Sequence, residues 1–519
     1  MSSSEGAAPG GGRTGRVSWI AAAVVVTAFL RFALFPPLSL AEAAYVFLVP
    51  VLWVDWARRS RRSAFAWGWL CGFLAWLPSL VWLRHVTVVG TLLLAAILAL
   101  FFAVWLAACG RPVSRGDGRW IAPAAAALWV LLEWTRSWLF WGFPWNPVSV
   151  SQWNRPAVLS LASVTGGWGL SFLLVWINVA LARWSRQPFT AWRRKGFLPF
   201  LRAVPLSLVV PIGVLLASAI WYFPSSLRRV PSEPVRVGFV QPYASMKWDA
   251  DTVSENLRVL WEETRRAAES DPAILLWPES ATPLPVVGNR EMRNAIEDLA
   301  AGIGVPILMG NMAYYPAEGV YENGVFLVDP GEGLRSDHYA KRELVPFGEF
   351  VPFRERLPFL EKVVPIGLDC RPGTEAAVFP FPGDTWVGPL VCYEDVFPSL
   401  ARATVREGAD WLFVATNNAW YGEEAGAYQH AAHSVLRAVE TRRPVLRSGN
   451  GGWSGWIDAW GHVRAEITDA EGSIYFRGGE VVPVDRDLRF DGYRTPYVRW
   501  GDWFVAACGL LAIPLLRRG

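Results

Sequence analysis

The sequence predicts a membrane α-helical bundle of about eight transmembrane helices joined to an α/β domain that lies outside the bilayer. Three observations carry this expectation. Of 519 residues, 53% are hydrophobic and only 18% are charged, a balance that puts much of the chain in lipid. The 31 tryptophans point the same way, because an indole ring suits the headgroup level, where one edge is apolar and the other wet. From residue 224 to residue 499 the composition turns mixed, and strand-like and helix-like runs alternate as they do in layered α/β domains.

Residues 1–16, "MSSSEGAAPGGGRTGR", are small, polar and Gly-rich and read as a disordered tail. The apolar run behind them is too long for a signal-peptide core and lacks a convincing small-residue cleavage site. Apolar segments long enough to span a bilayer, roughly 17–25 residues, cover 17–35, 38–56, 64–83, 86–108, 120–140, 157–181 and 203–223. They make a seven-helix region, 17–223, ahead of the α/β domain, 224–499. Within 500–519 a last apolar stretch, 501–516, reads as an eighth helix before a short tail.

Charge orients these segments. Basic residues cluster at Arg13 and Arg16, in "RRSRR" (58–62), at Arg111, Arg115 and Arg119, in "RWSRQPFTAWRRK" (183–195) and at Arg517 and Arg518. These are alternate loops, and the short loops between them carry only Arg84 and Arg155. The positive-inside rule therefore expects both termini in the cytoplasm and 224–499 on the outer face of the membrane. A net charge of +4 is small for this length and gives no nucleic-acid partner.

In the α/β region, "VRVGFVQP", "AILLWPES", "VPILMGNMAYY", "YENGVFLVD", "WVGPLVCYED" and "DWLFVATNN" read as strands, and 252–270 and 290–301 as helices. Three of these segments end in chemically loaded loops. "LLWPES" delivers Glu279, "YAKRELVPFGEF" carries Lys341 with Glu349 behind it, and "VGPLVCYEDVFP" presents Cys392. A carboxylate, an ammonium and a thiol suit acyl transfer. A free thiol with a pKa of ~8.5 is mostly protonated near neutrality, and Glu279 can take its proton. Lys341 can hold the oxyanion of a tetrahedral intermediate, helped by a backbone N–H after the nucleophile. Taken singly, each has a bland account: a capping carboxylate, a solvated lysine, a packed core thiol.

Other polar residues weigh less. The five cysteines show neither a disulfide framework nor a CxxC pattern; Cys392 is expected free, and Cys370 has no assigned role. His430 and His433 share a helical face, but zinc patterns need more ligands, and Arg437 and Glu440 beside them suit a structural ion pair. No metal or cofactor is expected. Glu133 and Arg136, three apart in the fifth span, are either an ion pair that fixes helix packing or the wall of a headgroup site. Trp141, Phe143 and Trp145 are expected as interfacial anchors.

"LLWPES", "KRELVPFGEF" and "VCYEDVFP", in that order, resemble the Glu-Lys-Cys signatures of the nitrilase, or carbon-nitrogen hydrolase, superfamily. Helices on both sides of the domain narrow the resemblance to its membrane-embedded branch, the bacterial apolipoprotein N-acyltransferases. "GFPWN", "GGWGLSF", "MKWD", "TNNAWYG" and "YVRWGDWF" support it, and it covers nearly everything after residue 16. The resemblance implies an αββα sandwich with Glu279 as base, Lys341 as oxyanion stabiliser and Cys392 as nucleophile. It implies Glu349 as a supporting carboxylate, Tyr393 and Glu394 as holders of the nucleophile turn, and Trp248, Trp420 and Trp145 as substrate or gating residues. After "GFPW" the chain runs "NPVSVSQ" where the family has a glycine and an aromatic before Ser-Gln.

The implied activity is a two-step transfer. A phospholipid acylates Cys392, and the thioester passes its chain to the α-amine of a diacylglyceryl-cysteine on a lipoprotein. The implied setting is the bacterial inner membrane, with the catalytic domain periplasmic and the enzyme a monomer. A membrane-anchored amidase or nitrilase, in which water takes the acyl group, is the alternative. A catalytically dead lipoprotein binder is disfavoured by the intact Glu279, Lys341 and Cys392.

Overall fold

The computed structural model describes residues 13–115, 118–186, 205–245, 249–356 and 369–516. Trp248, most of the N-terminal tail, part of the 183–195 basic loop and the C-terminal arginines lie outside these residues.

Three helices, Val88–Arg115, Gly167–Ser185 and Leu206–Leu227, are long and apolar enough to cross a membrane. Arg13–Ala33, Arg61–Ser79, Ile121–Arg136 and Trp503–Leu516 pack with them as further helices that are shorter or less apolar. By length and composition the described residues thus give three of the about eight expected transmembrane helices. Segment 38–56 differs most: in place of one helix it forms the short turns Ala41–Tyr45, Val49–Trp53 and Trp56–Arg58. Pro36, Pro37 and Pro50 withhold backbone N–H groups from any helical ladder there. Side chains satisfy part of the irregular backbone instead, since Leu48 N donates to Asn178 Oδ1 at 2.8 Å and Val51 N to Thr27 Oγ1 at 3.0 Å. That substitution permits non-helical chain among apolar helices. Segment 157–181 breaks at Gly166, where φ is +65°, into two short turns followed by Gly167–Ser185.

Helices Arg61–Ser79 and Val88–Arg115 make the closest pair. A Cβ placed on Gly68 would sit 2.9 Å from the Cα of Ala103, and one on Gly72 would sit 2.8 Å from the Cα of Ala99. A small residue every fourth position on both helices lets the backbones touch.

The α/β region forms two six-stranded sheets. One runs β12-β1-β2-β3-β4-β5 and contains β1 (Val235–Gln241), β2 (Ile274–Trp277), β3 (Ile307–Tyr315), β4 (Val320–Asp329), β5 (Gly333–Ala340) and β12 (Gly478–Val484). The other runs β11-β10-β9-β8-β7-β6 and contains β6 (Phe379–Phe381), β7 (Thr385–Val391), β8 (Trp411–Asn417), β9 (Val445–Asn450), β10 (Gly455–Ile457) and β11 (Val463–Glu466). The middle strands β1-β2-β3 and β7-β8-β9 are parallel. Val237, Phe239, Leu276 and Leu308 from one sheet meet Val387, Trp411, Phe413 and Leu446 from the other.

Helices Ala250–Ala268 and Arg290–Ile303 cover the outer face of the first sheet, Leu260, Ile296 and Leu299 packing on Leu275, Trp277 and Ile307. Helices Pro398–Arg406 and Ala425–Thr441 cover the second. Their other side, through Leu400, Leu436 and Val439, joins the apolar core of the membrane helices without interruption. The result is an α/β/β/α sandwich with one helical layer shared with the bundle.

Candidate active site

Glu279, Lys341 and Cys392 come from three strand ends and meet in one buried cluster. Glu279 follows β2, and Gly310 on the neighbouring β3 makes room for it: a Cβ there would fall 2.6 Å from the Cα of Glu279. Its Oε1 accepts from Asn323 Nδ2 at 2.8 Å and from Lys341 Nζ at 3.3 Å, and its Oε2 accepts from Asn417 N, the last residue of β8, at 3.0 Å. Lys341 follows β5, and its ammonium also lies 2.9 Å from Glu349 Oε2. Glu349 is itself fixed by Asn323 Nδ2 at 2.6 Å and Val345 N at 2.8 Å. One amide thus spans both carboxylates that flank the ammonium.

Cys392 follows β7 on a sharp turn at φ +51°, a left-handed backbone that costs a non-glycine residue about 1–3 kcal/mol. Surrounding hydrogen bonds hold it. The buried Glu394 carboxylate accepts from Val391 N at 2.7 Å, Arg342 N at 2.6 Å and Tyr339 Oη at 2.7 Å. Thr416 Oγ1 donates to Cys392 Sγ at 3.3 Å. Tyr393 points the other way, donating to Gly142 O at 3.3 Å and packing with Phe143, Trp145 and Phe397.

The electrostatics match this arrangement. Burial, then the nearby Glu279 charge, pushes the Cys392 thiol up to about 12, with Lys341, Thr416 and the Asn417 N–H offsetting only part. The resting thiol keeps its proton. Burial pulls the Lys341 ammonium down, but Glu349, Glu279 and Cys392 outweigh it and raise its pKa well above the usual range. A buried cation therefore stands beside a buried thiol and a carboxylate that can accept a proton, the equipment of nucleophilic acyl chemistry.

The remaining expected residues fall in different settings. Trp420 is 47% exposed on the turn Ala419–Tyr421. Trp145 is fully buried, which corrects its expected place as an interfacial anchor. Its indole packs tilted against His430 and His433, and Nε1 finds a partner inside, donating to Gln429 Oε1 at 2.8 Å. Trp141 is partly exposed against Phe350 and Phe353. Glu133 and Arg136 do not close on each other. Glu133 Oε1 accepts from Trp129 Nε1 at 2.9 Å and Val148 N at 2.8 Å, while Arg136 lies 4.8 Å from the Trp76 ring centre. Arg437 and Glu440 do pair, at 3.0 Å. Cys370 and Cys392 are both free thiols.

Sequence reasoning missed Asn323, Asn417 and Gln429. Asn323 sits inside a strand-like run, and only the β3-β4 register turns it toward the carboxylates. Gln429 stands next to a histidine that drew the attention, yet its Oε1 accepts from Trp82, Trp145 and Asn146 and its Nε2 donates to Pro36 O at 2.9 Å.

The chain is similar to known proteins over most of its length. Residues 236–480 match the carbon-nitrogen hydrolase family model, so the sandwich with its Glu-Lys-Cys cluster is a carbon-nitrogen hydrolase domain. Residues 27–180 match the model of the apolipoprotein N-acyltransferase N-terminal domain. Apolipoprotein N-acyltransferase of Geobacter metallireducens is 33% identical over 91% of this chain and 90% of its own length, and that of Pseudomonas syringae pv. tomato is 30% identical over 87% of each. This chain belongs to the apolipoprotein N-acyltransferase family. Among solved structures, an amidase from Nesterenkonia sp. aligns with 54% of this chain and 98% of its own at 17% identity, with a TM-score of 0.37.

Proposed function

We propose that this protein transfers an acyl chain from a phospholipid to the free N-terminal α-amine of diacylglyceryl-cysteine on lipoproteins, through a thioester on Cys392. In the first half, Glu279 accepts the thiol proton as sulfur attacks the ester carbonyl. Lys341 and a backbone N–H bear the oxyanion, and the C–O bond breaks as the glycerol oxygen takes the proton back. Lysophospholipid leaves. In the second half the amine attacks the thioester, gives its proton to Glu279, and the C–S bond breaks to return the thiol. Glu349 keeps Lys341 charged and placed. Trp420, exposed on its turn, acts on substrate or gating, the role the family resemblance also gives Trp248, and Trp145 braces the wall behind Tyr393. The domain works at the outer leaflet of the inner membrane, as a monomer.

What carries the reading is the buried Glu279–Lys341–Cys392 cluster in a chain of this family. A thioester in an apolar surround survives when bulk water has poor access, and a lipid-tethered amine in the same leaflet arrives at high effective concentration. The test loads the purified enzyme with phospholipid radiolabelled in its acyl chains, removes the excess, and follows the label. It is expected to stay on Cys392 until a diacylglyceryl-peptide with a free N-terminus is added, then to appear as N-acyl peptide. Prompt release as free fatty acid, unchanged by the peptide, overturns the transferase reading in favour of a membrane-tethered hydrolase.

A further inference from the structure

The Cys392 turn is gripped on its far side by helix Ala425–Thr441, which supplies none of the Glu-Lys-Cys residues. Helix Ala425–Thr441 runs between the turn and the loop that follows the Ile121–Arg136 helix, and a single turn of it faces both ways. Gln429 and His433 face the membrane-side loop: Trp145 Nε1 donates to Gln429 Oε1 at 2.8 Å, and Asn146 N donates to His433 Nε2 at 3.2 Å. His430 faces the turn. Its Nε2 lies 3.1 Å from Cys392 O and 2.7 Å from Asp395 Oδ1, and its Nδ1 lies 3.1 Å from Asn418 Nδ2.

These partners specify the tautomer. Nε2 faces two oxygen acceptors and carries the proton, while Nδ1 faces an amide donor and offers its lone pair. His430 is fully buried. Burial and the nearby Arg447 charge hold its pKa below the usual imidazole range against the pull of Asp395, consistent with a neutral ring. Asp395 is pinned in turn by Arg447 Nη1 at 2.6 Å and by Ser434 Oγ. The donor aimed at Cys392 O therefore cannot rotate away without breaking a buried charged network.

We propose that His430 is a positioning residue for the nucleophile: its Nε2–H holds the Cys392 carbonyl so that the left-handed turn, and with it the thiol, stays aimed at Glu279 and Lys341. The inference deepens the reading of Cys392 as nucleophile and rests on it. Val391 N is held by Glu394, and the thiol itself by Thr416. The carbonyl between them is the peptide group whose rotation would swing the turn, and His430 donates to it. His430 touches no reacting atom. Through Gln429 beside it, the same helical turn ties the nucleophile's geometry to the membrane-side loop.

The test uses the full-length protein in detergent micelles and measures the second-order rate at which iodoacetamide alkylates Cys392, located by peptide mass spectrometry. The kcat and KM for phospholipid are read in parallel. His430→Leu is expected to slow alkylation and kcat about tenfold, the loss of one well-placed hydrogen bond, with KM for phospholipid little changed. His430→Gln, whose amide N–H can reach the same carbonyl, is expected to restore most of that loss. If His430→Leu does not fold, His430→Asn, polar but too short to reach, takes its place with the same expectation. A folded Leu or Asn variant that alkylates and turns over at the parent rate overturns the positioning role. Failure of the nucleophile reading looks different: Cys392 of the parent protein then carries no acyl group after exposure to phospholipid, whatever residue 430 is.

Discussion

The Cys392 thiol, pushed up to about 12 by burial and the Glu279 charge, sits in a buried left-handed turn, so the proposed chemistry depends on neighbours that take its proton and meet the oxyanion. Cys392→Ser is expected to abolish turnover, because a hydroxyl needs a stronger base than Glu279. Lys341→Ala is expected to lose roughly a hundredfold or more in kcat, the scale of removing an oxyanion donor. A single-turnover assay with labelled phospholipid reads both, and a near-normal rate for Lys341→Ala would return that lysine to a structural role. Asp395 sets a pH limit. Burial raises its pKa, but its neighbours His430, Arg447 and Ser434 together outweigh this and leave it lowered. A lowered carboxylate contributes stability that is complete above its unfolded value of about 3.9 and is lost as pH falls toward the folded value. The melting temperature should decline below about pH 4, and Asp395→Asn should remove much of that dependence. The same change should cost about 3–5 kcal/mol at neutral pH, since it strands the buried Arg447 without its countercharge. At this scale the loaded loops were legible because each follows an apolar strand and holds a reactive residue type. The contacts of Asn323 and the role proposed for His430 were not, because both rest on partners distant in the chain.

Elements divide by how local their causes are. Of the described α/β strands, β1–β4, β7 and β8 were legible as short apolar runs bounded by Gly, Pro or acidic turns, whereas β5, β6 and β9–β12 were not read, and β7 ends at Val391 where the expected run continued through Asp395. Segment 38–56 read as a span because its hydropathy is high. Its prolines and the side-chain partners Thr27 and Asn178 decide otherwise, and hydropathy does not sense them. The paired helices Arg61–Ser79 and Val88–Arg115 make a testable case. Gly72→Ile forces atoms into a space that even a Cβ overfills, at about 1–3 kcal/mol or more. Thermal denaturation in detergent should register that loss, whereas Gly213→Ile, with open space around its Cα, should leave the transition unmoved.

At the scale of the whole molecule, the apolar core of the membrane helices runs without a break into the helices that back the second sheet, so the bundle braces the active site as well as anchoring it. Alternate basic loops predict the orientation: a reporter fused after Lys195 should be cytoplasmic, and one inserted within residues 331–336 should be external. Opposite labelling would invert the proposed site of action. The sequence by itself determined the two-part architecture, the order of the Glu, Lys and Cys loops and the family resemblance. Each is written in local composition, in turn residues or in short contiguous motifs. Only the tertiary structure decided which helices are continuous, that Trp145 is a buried brace, and how the Cys392 turn is held. Those outcomes depend on hydrogen bonds between residues as much as 393 positions apart, such as Gln429 and Pro36, and long-range pairing leaves no periodic signal in the chain.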